Sequence, residues 1–315
     1  MQLTTNTRAF IEAEQYSSFI LLTLKDGLLP ESFYRNVGDF GEGDTLNIKT
    51  VGTVTLQEAA EDTPLTYQPI ESGNITLQIT DYVGDAWYVT DDLREDGSQI
   101  ERLMAERSAE STRAIQENFE TRFLATAASA HSASDPYNIN GFAHKIVSAE
   151  TNDVFDESHL ADMKLAFDKA NVPQNGRVFI ADPVVEATLN KKVTITHDVT
   201  EFGKMILENG LANGMRYTMS LYGFDIIVSN RLYVADANDG STSITGAVWN
   251  LAMCVADDQC KPVMAAWRRQ PKVEGERNKD RARDEFVVRA RWGFGVQRMD
   301  TMGVICTSPT ATTTS

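Results

Sequence analysis

The chain has 315 residues, of which 42% are hydrophobic and 23% are charged, a balance typical of a folded globular protein. Its formal net charge is −16, which argues against a protein that grips nucleic acid, because that affinity comes largely from Lys and Arg. No apolar run approaches the roughly 18 residues that span a membrane. The opening residues, MQLTTNTRAF, do not have the pattern of a signal peptide. We therefore expect no membrane association, and three cysteines that stay reduced.

The first 86 residues predict an arm followed by a long hairpin. Residues 1–38 contain apolar patches broken by Gly27 and Pro30, and we expect them to form an N-terminal arm. Residues 39–86 hold two alternating stretches, DTLNIKTVG and SGNITLQIT, which predict the strands of an extended β-hairpin. A lone two-stranded ribbon is at best marginally stable, so its own chain or a neighbouring subunit must cover its apolar residues. These are Leu46, Ile48, Ile75, Leu77 and Ile79.

The longest helix is predicted between residues 98 and 128. Its apolar and small residues recur at steps of three and four up to Ile115 and Phe119, and Leu103 and Phe123 widen the stripe. Near the C terminus, residues 286–296 carry an apolar side chain at every second position, which predicts a half-buried strand. Because each element presents one apolar face, we expect the helix to pack on the sheet that contains this strand.

Residues 151–250 predict a mixed α/β region. DESHLADMKLAFDKANV indicates a capped helix, GRVFIADP a buried strand, and PVVEATLNKK a second helix. YTMSLYGFDIIVSNRL indicates a hairpin that turns at Gly223, and ITGAVWNLAMCVA another strand. A charge-dense segment, WRRQPKVEGERNKDRARDE, then leads into the alternating strand.

No group of residues points to catalysis. The four histidines lie at no metal-ligand spacing from one another or from a cysteine, and Cys254 and Cys260 are too far apart for a zinc pair. GFGV does not have the Lys and the helix start of a nucleotide loop, and DDLREDG does not match the calcium-loop pattern. We therefore expect no catalytic residue, no cofactor and no bound metal.

Two segments carry opposite charge. Nine acids stand against one base, Lys49, between Asp39 and Asp85, whereas seven bases cluster between Arg268 and Arg283. These segments are either two solvated surfaces or complementary faces that meet between subunits. Nucleic-acid binding by the basic segment is a third interpretation, disfavoured because acids interrupt it and no aromatic ladder accompanies it. The second interpretation adds these interface candidates to the five apolar hairpin residues: Glu58, Glu61, Asp62, Arg102, Arg107, Arg113, Arg268, Arg269 and Lys272.

The order of these parts resembles that of the major capsid proteins of tailed double-stranded-DNA bacteriophages. Four stretches carry the resemblance: SFYRNVGDFGEGDTLNI, NVPQNGRVFIADPVVEATL, LYGFDIIVSNRL and FVVRARWGFGVQRMDTMGVI. They are similar to the family's entry into its extended loop, to the strand–Pro–helix and Gly-hairpin of its axial domain, and to the closing strands of its peripheral domain.

The resemblance implies an α+β fold with an N-terminal arm, an extended β-hairpin loop, a long spine helix on a peripheral-domain sheet, and an inserted mixed α/β axial domain. The implied bounds are 1–38 for the arm, 39–86 for the hairpin loop and 87–150 for the first part of the peripheral domain with the spine helix. The axial domain is then 151–250, and residues 251–315 form the second part of the peripheral domain and a tail.

The implied function is a major capsid protein that assembles as hexamers and pentamers into an icosahedral shell around packaged double-stranded DNA. Its implied partners are further copies of itself, a separate scaffolding protein, a portal and a decoration protein, with the DNA nearby but not bound by sequence. The implied location is the virion, after assembly in the host cytoplasm. Some members of the family cross-link a Lys to an Asn of a neighbour. Lys49 is predicted to lie in a strand and not at the hairpin tip, so we expect no such cross-link and assign no catalytic residue.

Two other functions remain open from the sequence. One is a cytosolic α/β enzyme whose site would lie at the end of the GRVFIADP strand. The other is a different virion component, such as a tail or decoration protein. Particle or ring formation would favour the capsid interpretation, whereas a stable monomer or dimer would favour the enzyme.

Overall fold

The structure is a computed structural model that describes residues 29, 31–38, 43, 45–51, 58, 72–96, 100–131, 137–195 and 217–312. Its helices are α1 (Asp91–Asp96), α2 (Ile100–Ser129), α3 (Glu157–Lys169) and α4 (Pro183–Ile195), with single 3-10 turns at Glu31–Phe33 and Thr151–Asp153. The first strands are β1 (Arg35–Asn36), β2 (Thr45–Val51), β3 (Ser72–Gln78), β4 (Asp81–Thr90), β5 (Asn138–Ile139), β6 (Phe142–Ala143) and β7 (Lys145–Val147). The remaining strands are β8 (Arg177–Ala181), β9 (Tyr217–Leu221), β10 (Phe224–Val228), β11 (Tyr233–Asn238), β12 (Ser243–Cys254), β13 (Val263–Asn278), β14 (Arg283–Val296) and β15 (Met302–Thr307).

Two sheets form the body of the molecule. The four-stranded sheet has the order β1-β13-β14-β4, and the seven-stranded sheet has the order β7-β15-β12-β8-β10-β9 with β11 paired to β12. Strands β2 and β3 form a separate hairpin, and β5 and β6 form a small second one. The predicted α+β class is therefore confirmed. No helix among the described residues is long and apolar enough to cross a membrane.

Helix α2 packs against both sheets. Ile115 and Phe119 are buried with Val288, Ala290 and Trp292 of the alternating strand β14, which confirms the predicted packing of helix on strand. One turn further on, the helix buries Phe123, Leu124, Ala127 and Ala128 against the seven-stranded sheet. The N-terminal part of the predicted stripe is not buried, because Leu103 is 54% exposed.

The seven-stranded sheet is covered on its other face by α3 and α4. Leu160, Met163 and Phe167 of α3 and Val185 and Leu189 of α4 are buried with the sheet's Phe179, Phe224 and Ile305. All five residues of β8 are buried, as expected for a central strand with cover on both faces. The predicted helices and the strand of this region are confirmed.

The motifs of this region have local structural roles. Helix α3 starts with a capping box, in which Asp156 accepts from Ser158 N and donates from its own backbone to His159 Nδ1. The buried Arg177 donates to the carbonyls of Val172 and Pro173 at 2.7 and 2.9 Å, just after α3 ends. At the β9–β10 turn, Tyr222 and Gly223 both have positive φ, which suits the two-residue hairpin turn predicted there.

Two strands run across predicted domain bounds, which stay predictions, and a third strand joins another sheet than expected. Strand β4 runs through the bound at residue 86, because it pairs continuously with β14 from Asp81 to Thr90. Strand β12 runs through the bound at residue 250. Strand β15 was predicted to close the peripheral domain with β14 but joins the seven-stranded sheet between β12 and β7. All six residues of β15 are buried, so it needs the two-sided cover that this position offers.

We expect the change Ile115→Asp to lower the free energy of unfolding by several kcal/mol, because it places a carboxylate without a partner between α2 and the four-stranded sheet. Thermal unfolding followed by circular dichroism measures the effect. Gln116→Asp, at the adjacent exposed position, is the matched control and should change stability little. Equal melting temperatures for the two variants would contradict the packing described for Ile115.

Candidate interaction surface

The β2–β3 hairpin presents one apolar and one polar face. Leu46 lies opposite Leu77 and Ile48 opposite Ile75, so all four side chains share a face. On the other face, Asn74 Nδ2 and Thr76 Oγ1 donate to Asn47 Oδ1 at 3.1 and 3.3 Å. The predicted hairpin is confirmed, and Lys49 lies within β2 as expected.

The part of the hairpin nearest the sheet, which we call the root, comprises Leu46, Ile48, Ile75, Leu77 and Ile79. It lies on the four-stranded sheet, on the face opposite α2. Leu77 is buried with Met264 and Ala266 of β13, and Leu46, Ile48 and Ile75 pack around them. The residues of β14 under the root are glycines. A Cβ on Gly293 would lie 2.7 Å from Ile79 Cα, and one on Gly295 would lie 2.9 Å from Leu77 Cδ1. The hairpin root therefore packs directly on Gly293 and Gly295 of the GFGV motif, at positions where only a residue without a side chain fits.

The interface candidates of the hairpin differ in burial. Leu77 and Ile79 are 0% and 4% exposed within their own chain, so they offer a neighbouring subunit almost no surface and are the weakest of the predicted candidates. Leu46, Ile48 and Ile75 are half-buried. Glu58 is exposed, and Glu61 and Asp62 lie outside the described residues. The hairpin root is thus covered by its own chain.

Beyond the glycines, the same sheet face carries a group of cations, which we call the outer basic patch: Arg269, Lys272, Arg289 and Arg291. Arg269 lies directly opposite Arg291, and Lys272 directly opposite Arg289. Like charges in opposed positions of an antiparallel pair are destabilising. Arg269 pairs with Glu274 at 2.7 Å, but within the described part of the chain no acid forms an ion pair with the other three.

Strand β4 extends this patch with small and aromatic residues. Tyr82 lies opposite Arg291 and Gly84 opposite Arg289, and Tyr82 and Tyr88 are 60% and 59% exposed. A shallow depression of about 290 Å³ is lined by Tyr82, Gly84, Ala86, Val287 and Arg289, among others. Tyr and Arg on a surface with small apolar neighbours are the residue types enriched at protein interfaces.

Several predicted interface cations instead have partners within the chain. Arg107 pairs with Asp85 at 2.8 Å and Arg113 with Glu117 at 3.0 Å. Asp81 and Asp85 were counted with the acids of the hairpin loop, but they lie in β4 and face Arg122 and Arg107 of α2. Arg102 and Arg268 are exposed.

The far end of the basic segment is also paired within the chain. Arg277 binds both carboxylate oxygens of Asp91, at 2.5 and 2.6 Å, and holds the pKa of that carboxyl below its usual value. Arg283 pairs with Glu285 at 2.6 Å and lies over the ring of Tyr88. The acids of the chain therefore neutralise these two arginines, in contrast to Lys272, Arg289 and Arg291 of the outer basic patch.

Residues 73–307 match the model of a family described as phage capsid protein. The chain belongs to this phage capsid family. The predicted resemblance to tailed-phage major capsid proteins is confirmed, and the chain is a structural protein of the virion shell and not an enzyme. Among curated protein sequences, none matches it significantly.

Solved phage structures share the fold of this capsid protein at low sequence identity. The capsid of cyanophage P-SCSP1u is 17% identical, with 96% of this chain and 94% of that chain covered and a TM-score of 0.69. A Mycobacterium phage Che8 structure is 16% identical, with 94% and 97% covered and a TM-score of 0.66. The capsid of a native GTA particle is 12% identical, with 98% and 99% covered and a TM-score of 0.62.

The strand end that was the alternative enzyme site has a structural role in the capsid protein. Asp182 follows β8, and its Oδ2 accepts from Val184 N at 2.9 Å, which caps α4. Burial raises the pKa of Asp182 and of Glu186. Within the described ranges, no group of three or more His, Cys, Asp or Glu side chains could hold a metal ion.

The cysteines of the capsid protein are free thiols. Cys254 and Cys306 are buried and Cys260 is half-buried. Burial raises the pKa of the Cys306 thiol to about 12 and also raises that of Cys254. A thiol with a raised pKa is a poor nucleophile at neutral pH, so these two residues contribute packing and not chemistry.

Two buried histidines, one just after α2 and one between β6 and β7, contact the same tyrosine. His131 is 2% exposed and His144 is fully buried, and their ring centroids lie 5.4 and 6.3 Å from that of Tyr137. Neither ring nitrogen of His131 has a hydrogen-bond partner among the described residues, and the same holds for His144 Nε2. Burial, with smaller contributions from His144 and Lys145, lowers the pKa of His131 to about 4.

We expect the change Gly293→Ala to weaken the packing of the hairpin root on β14, because the added Cβ would clash with the backbone of Gln78 and Ile79. Hydrogen exchange across residues 72–79 should become faster, and the melting temperature should fall. Gly38→Ala is the matched control, since a Cβ there meets nothing within 4 Å. Unchanged exchange in the Gly293 variant would show that the hairpin does not depend on this contact.

We expect the stability of the subunit to fall as the pH drops from about 6.5 towards 4. Over this range the unfolded chain protonates His131, whereas the folded chain keeps it neutral, so the unfolded state binds more protons. One such group contributes a slope of up to about 1.4 kcal/mol per pH unit. Denaturant unfolding at several pH values should therefore give a shallower pH dependence for His131→Phe. Tyr137→Phe should keep the slope of the unmodified protein, and a His131→Phe slope that also stays unchanged would contradict the prediction.

Proposed function

We propose that this capsid protein assembles as hexamers and pentamers into an icosahedral shell around double-stranded DNA, and that the acidic hairpin loop of each copy lies on the outer basic patch of the next. The single observation that carries the pairing is the patch itself. Opposed cations, Arg269 with Arg291 and Lys272 with Arg289, lie on an open sheet face beside Tyr82. Such a face is stabilised when an anionic segment covers it.

The same chain supplies a segment of complementary charge. Residues 52–71 contain Glu58, Glu61, Asp62 and Glu71 and no basic residue. They also contain Val54, Leu56 and Leu65, apolar side chains that suit the depression beside Tyr82. An acidic and apolar loop therefore fits a surface of arginines, a tyrosine and small residues.

The direction of the hairpin favours contact between copies over contact within one copy. Along β14 the order is Arg289, Arg291, Gly293, Gly295. Ile79 lies at Gly293, and Leu77, nearer the loop, lies at Gly295. Moving from the root towards the loop therefore leads away from the chain's own arginines. A head-to-tail contact between loop and patch is heterologous, the type that closes copies into rings.

The charges set the orientation of this contact more than its strength. Each exposed ion pair contributes about 0–1 kcal/mol, so apolar contact with Tyr82, Ala86 and Val287 must supply most of the adhesion. Arg102 and Arg268 remain candidate partners for the loop. Arg107 and Arg113 also remain candidates, and each additionally pairs with an acid of its own chain.

We further propose that a separate scaffolding protein, a portal and a decoration protein act with this subunit, and that shells assemble in the host cytoplasm. Packaged DNA would lie close to the subunits without sequence-specific contacts. The net charge of −16 supports this arrangement, because strong binding of the wall to phosphates would hinder movement of the DNA.

We expect the paired change Glu58→Lys and Glu61→Lys to give open or irregular assemblies from folded subunits, because it places cations against the outer basic patch. Electron microscopy and sedimentation of the expressed protein measure the outcome. Raised salt should reduce the difference from the unmodified protein. Adding Lys272→Glu and Arg289→Glu should restore closed shells, since the charges then attract again.

The matched control is Glu150→Lys with Asp162→Lys, which makes the same charge change at exposed positions outside the loop. It should leave assembly unchanged. Closed shells from the Glu58 and Glu61 variant at low salt would rule out the pairing, and so would its failure to respond to the changes in the patch.

A further inference from the structure

Strand β4 forms one edge of the four-stranded sheet. It is the last strand in the order β1-β13-β14-β4, and it pairs with β14 from Asp81 to Thr90 without a shift in register. Within the described part of the chain, no strand lies along its other side. An edge strand carries a row of backbone N–H and C=O groups that a further strand can use.

One hydrogen bond at the end of β4 shows which backbone groups face outward. Asp91 N donates to Ala282 O at 3.1 Å, which makes this opposed pair a hydrogen-bonded one. Such pairs alternate with non-bonded pairs in an antiparallel ladder, so every second residue of β4 directs its N–H and C=O away from β14. These residues are Tyr82, Gly84, Ala86 and Tyr88. No backbone group among the described residues bonds to their outward groups.

The β4 edge does not carry the features that usually prevent strand addition. These features include Lys or Pro in the strand and a bulge, and β4 (DYVGDAWYVT) has none of the three. Its two acids lie on the α2 side of the sheet. Asp81 pairs there with Arg122 at 3.0 Å, and Asp85 pairs with Arg107 at 2.8 Å. Neither acid therefore adds an uncompensated charge that would repel an incoming strand.

The surface beside this edge favours an acidic strand. A Cβ on Gly84 would lie 3.2 Å from Arg289 Cγ, so the Arg289 side chain passes over β4 at this glycine. Arg289 is exposed, and within the described ranges no acid forms an ion pair with it. A strand added beside β4 would lie about 4.8 Å further out. A carboxylate on the same face of that strand comes within reach of Arg289.

One stretch of the chain has the sequence that such a strand requires. In residues 53–58, TVTLQE, Thr and Gln alternate with Val54, Leu56 and Glu58. In a strand these last three side chains share one face. Val54 and Leu56 suit the shallow depression on the outer face of β4, and Glu58 suits Arg289. Because the hairpin of each copy leads away from its own Arg289, the strand must come from another copy.

We propose that β4 receives residues 53–58 of a second copy as a fifth strand of its sheet. The outward N–H and C=O groups of β4 then hydrogen-bond to that strand, and its apolar and acidic side chains lie on the face of the outer basic patch. This inference rests on the proposed contact between loop and patch and adds its mode of binding, β-strand addition. The backbone hydrogen bonds fix the register of the loop on β4, which charge attraction alone does not.

The test is hydrogen exchange of single β4 amides, compared between assembled particles and unassembled subunits of the full-length protein. In subunits, the amides of Tyr82, Gly84, Ala86 and Tyr88 should exchange fast because they have no acceptor. In particles their exchange should slow by about tenfold or more. The intervening amides, which bond to β14 in both forms, are the internal control. Equal rates in the two forms would overturn the proposal. Slow exchange already in the subunits would also overturn it, because the chain's own residues would then cover the edge.

The outcomes separate this inference from the proposed function. Particles whose outward β4 amides stay unprotected refute strand addition but leave the contact between loop and patch intact. Failure of the protein to form any particle or ring refutes both. The Glu58→Lys and Glu61→Lys variant should lose the protection of β4. Protection that persists in its assemblies would assign the added strand to another segment and overturn the proposal.

The change Ala86→Pro tests the same contact by removing one outward N–H. Pro is tolerated in an edge strand where its missing N–H faces solvent, so the subunits should fold with a melting temperature close to that of the unmodified protein. The yield of closed shells, measured by sedimentation, should fall. Ala86→Ser, which keeps the N–H, is the matched control and should assemble normally. A full yield of closed shells from folded Ala86→Pro subunits would contradict strand addition at β4.

Discussion

The packing of one helix against two sheets is the constraint on which the rest of the structure depends. Helix α2 has 30 residues and is about 45 Å long. It buries Ile115 and Phe119 on the four-stranded sheet and Phe123 and Leu124 on the seven-stranded sheet. Because side chains in a packed interior cannot shift without cost, the angle between the two sheets is set by these consecutive turns of helix. A shell subunit needs such a rigid connection, since an error in shape would be repeated at every contact between copies.

That helix also decides how the four-stranded sheet is used. With one face closed by α2, the hairpin and every exposed contact must use the other face. The glycines of β14 let the hairpin root lie close to the sheet, and of the next arginines along the strand, Arg291 is half-buried and Arg289 is exposed. Root and patch are therefore neighbours on one surface. Strand β14 therefore packs against α2 with one face and carries the hairpin root and the outer basic patch on the other.

The sequence predicted which elements form this surface better than which of their residues are covered and which are exposed. Alternation placed Leu46, Ile48, Ile75 and Leu77 on one face of a hairpin, and that face exists. It could not show that Leu77 is covered by Met264 and Ala266, which lie almost 190 positions later in the chain. Arg289 and Arg291 were not among the predicted candidates, because they lie beyond the dense basic segment that ends at Arg283. The sequence does contain a signal for them. They alternate with the apolar residues Val288, Ala290 and Trp292, which indicates that they lie on the face of the strand opposite the packed one.

The sequence by itself determined what depends on neighbouring residues: the long helix, the hairpins, the capped helix α3, the buried strand β8 and, through the order of its motifs, the capsid family. Tertiary structure alone decided which charges are neutralised and which remain. Arg269 and Lys272 would fall on opposite faces of a regular strand, but irregularities between Trp267 and Lys272 shift the register so that both face outward, opposite Arg291 and Arg289. Likewise, Arg277 meets Asp91 only because β4 and β13 flank the same strand. Charge pairing depends on distances in space between residues far apart in the chain, and local sequence patterns do not encode those distances.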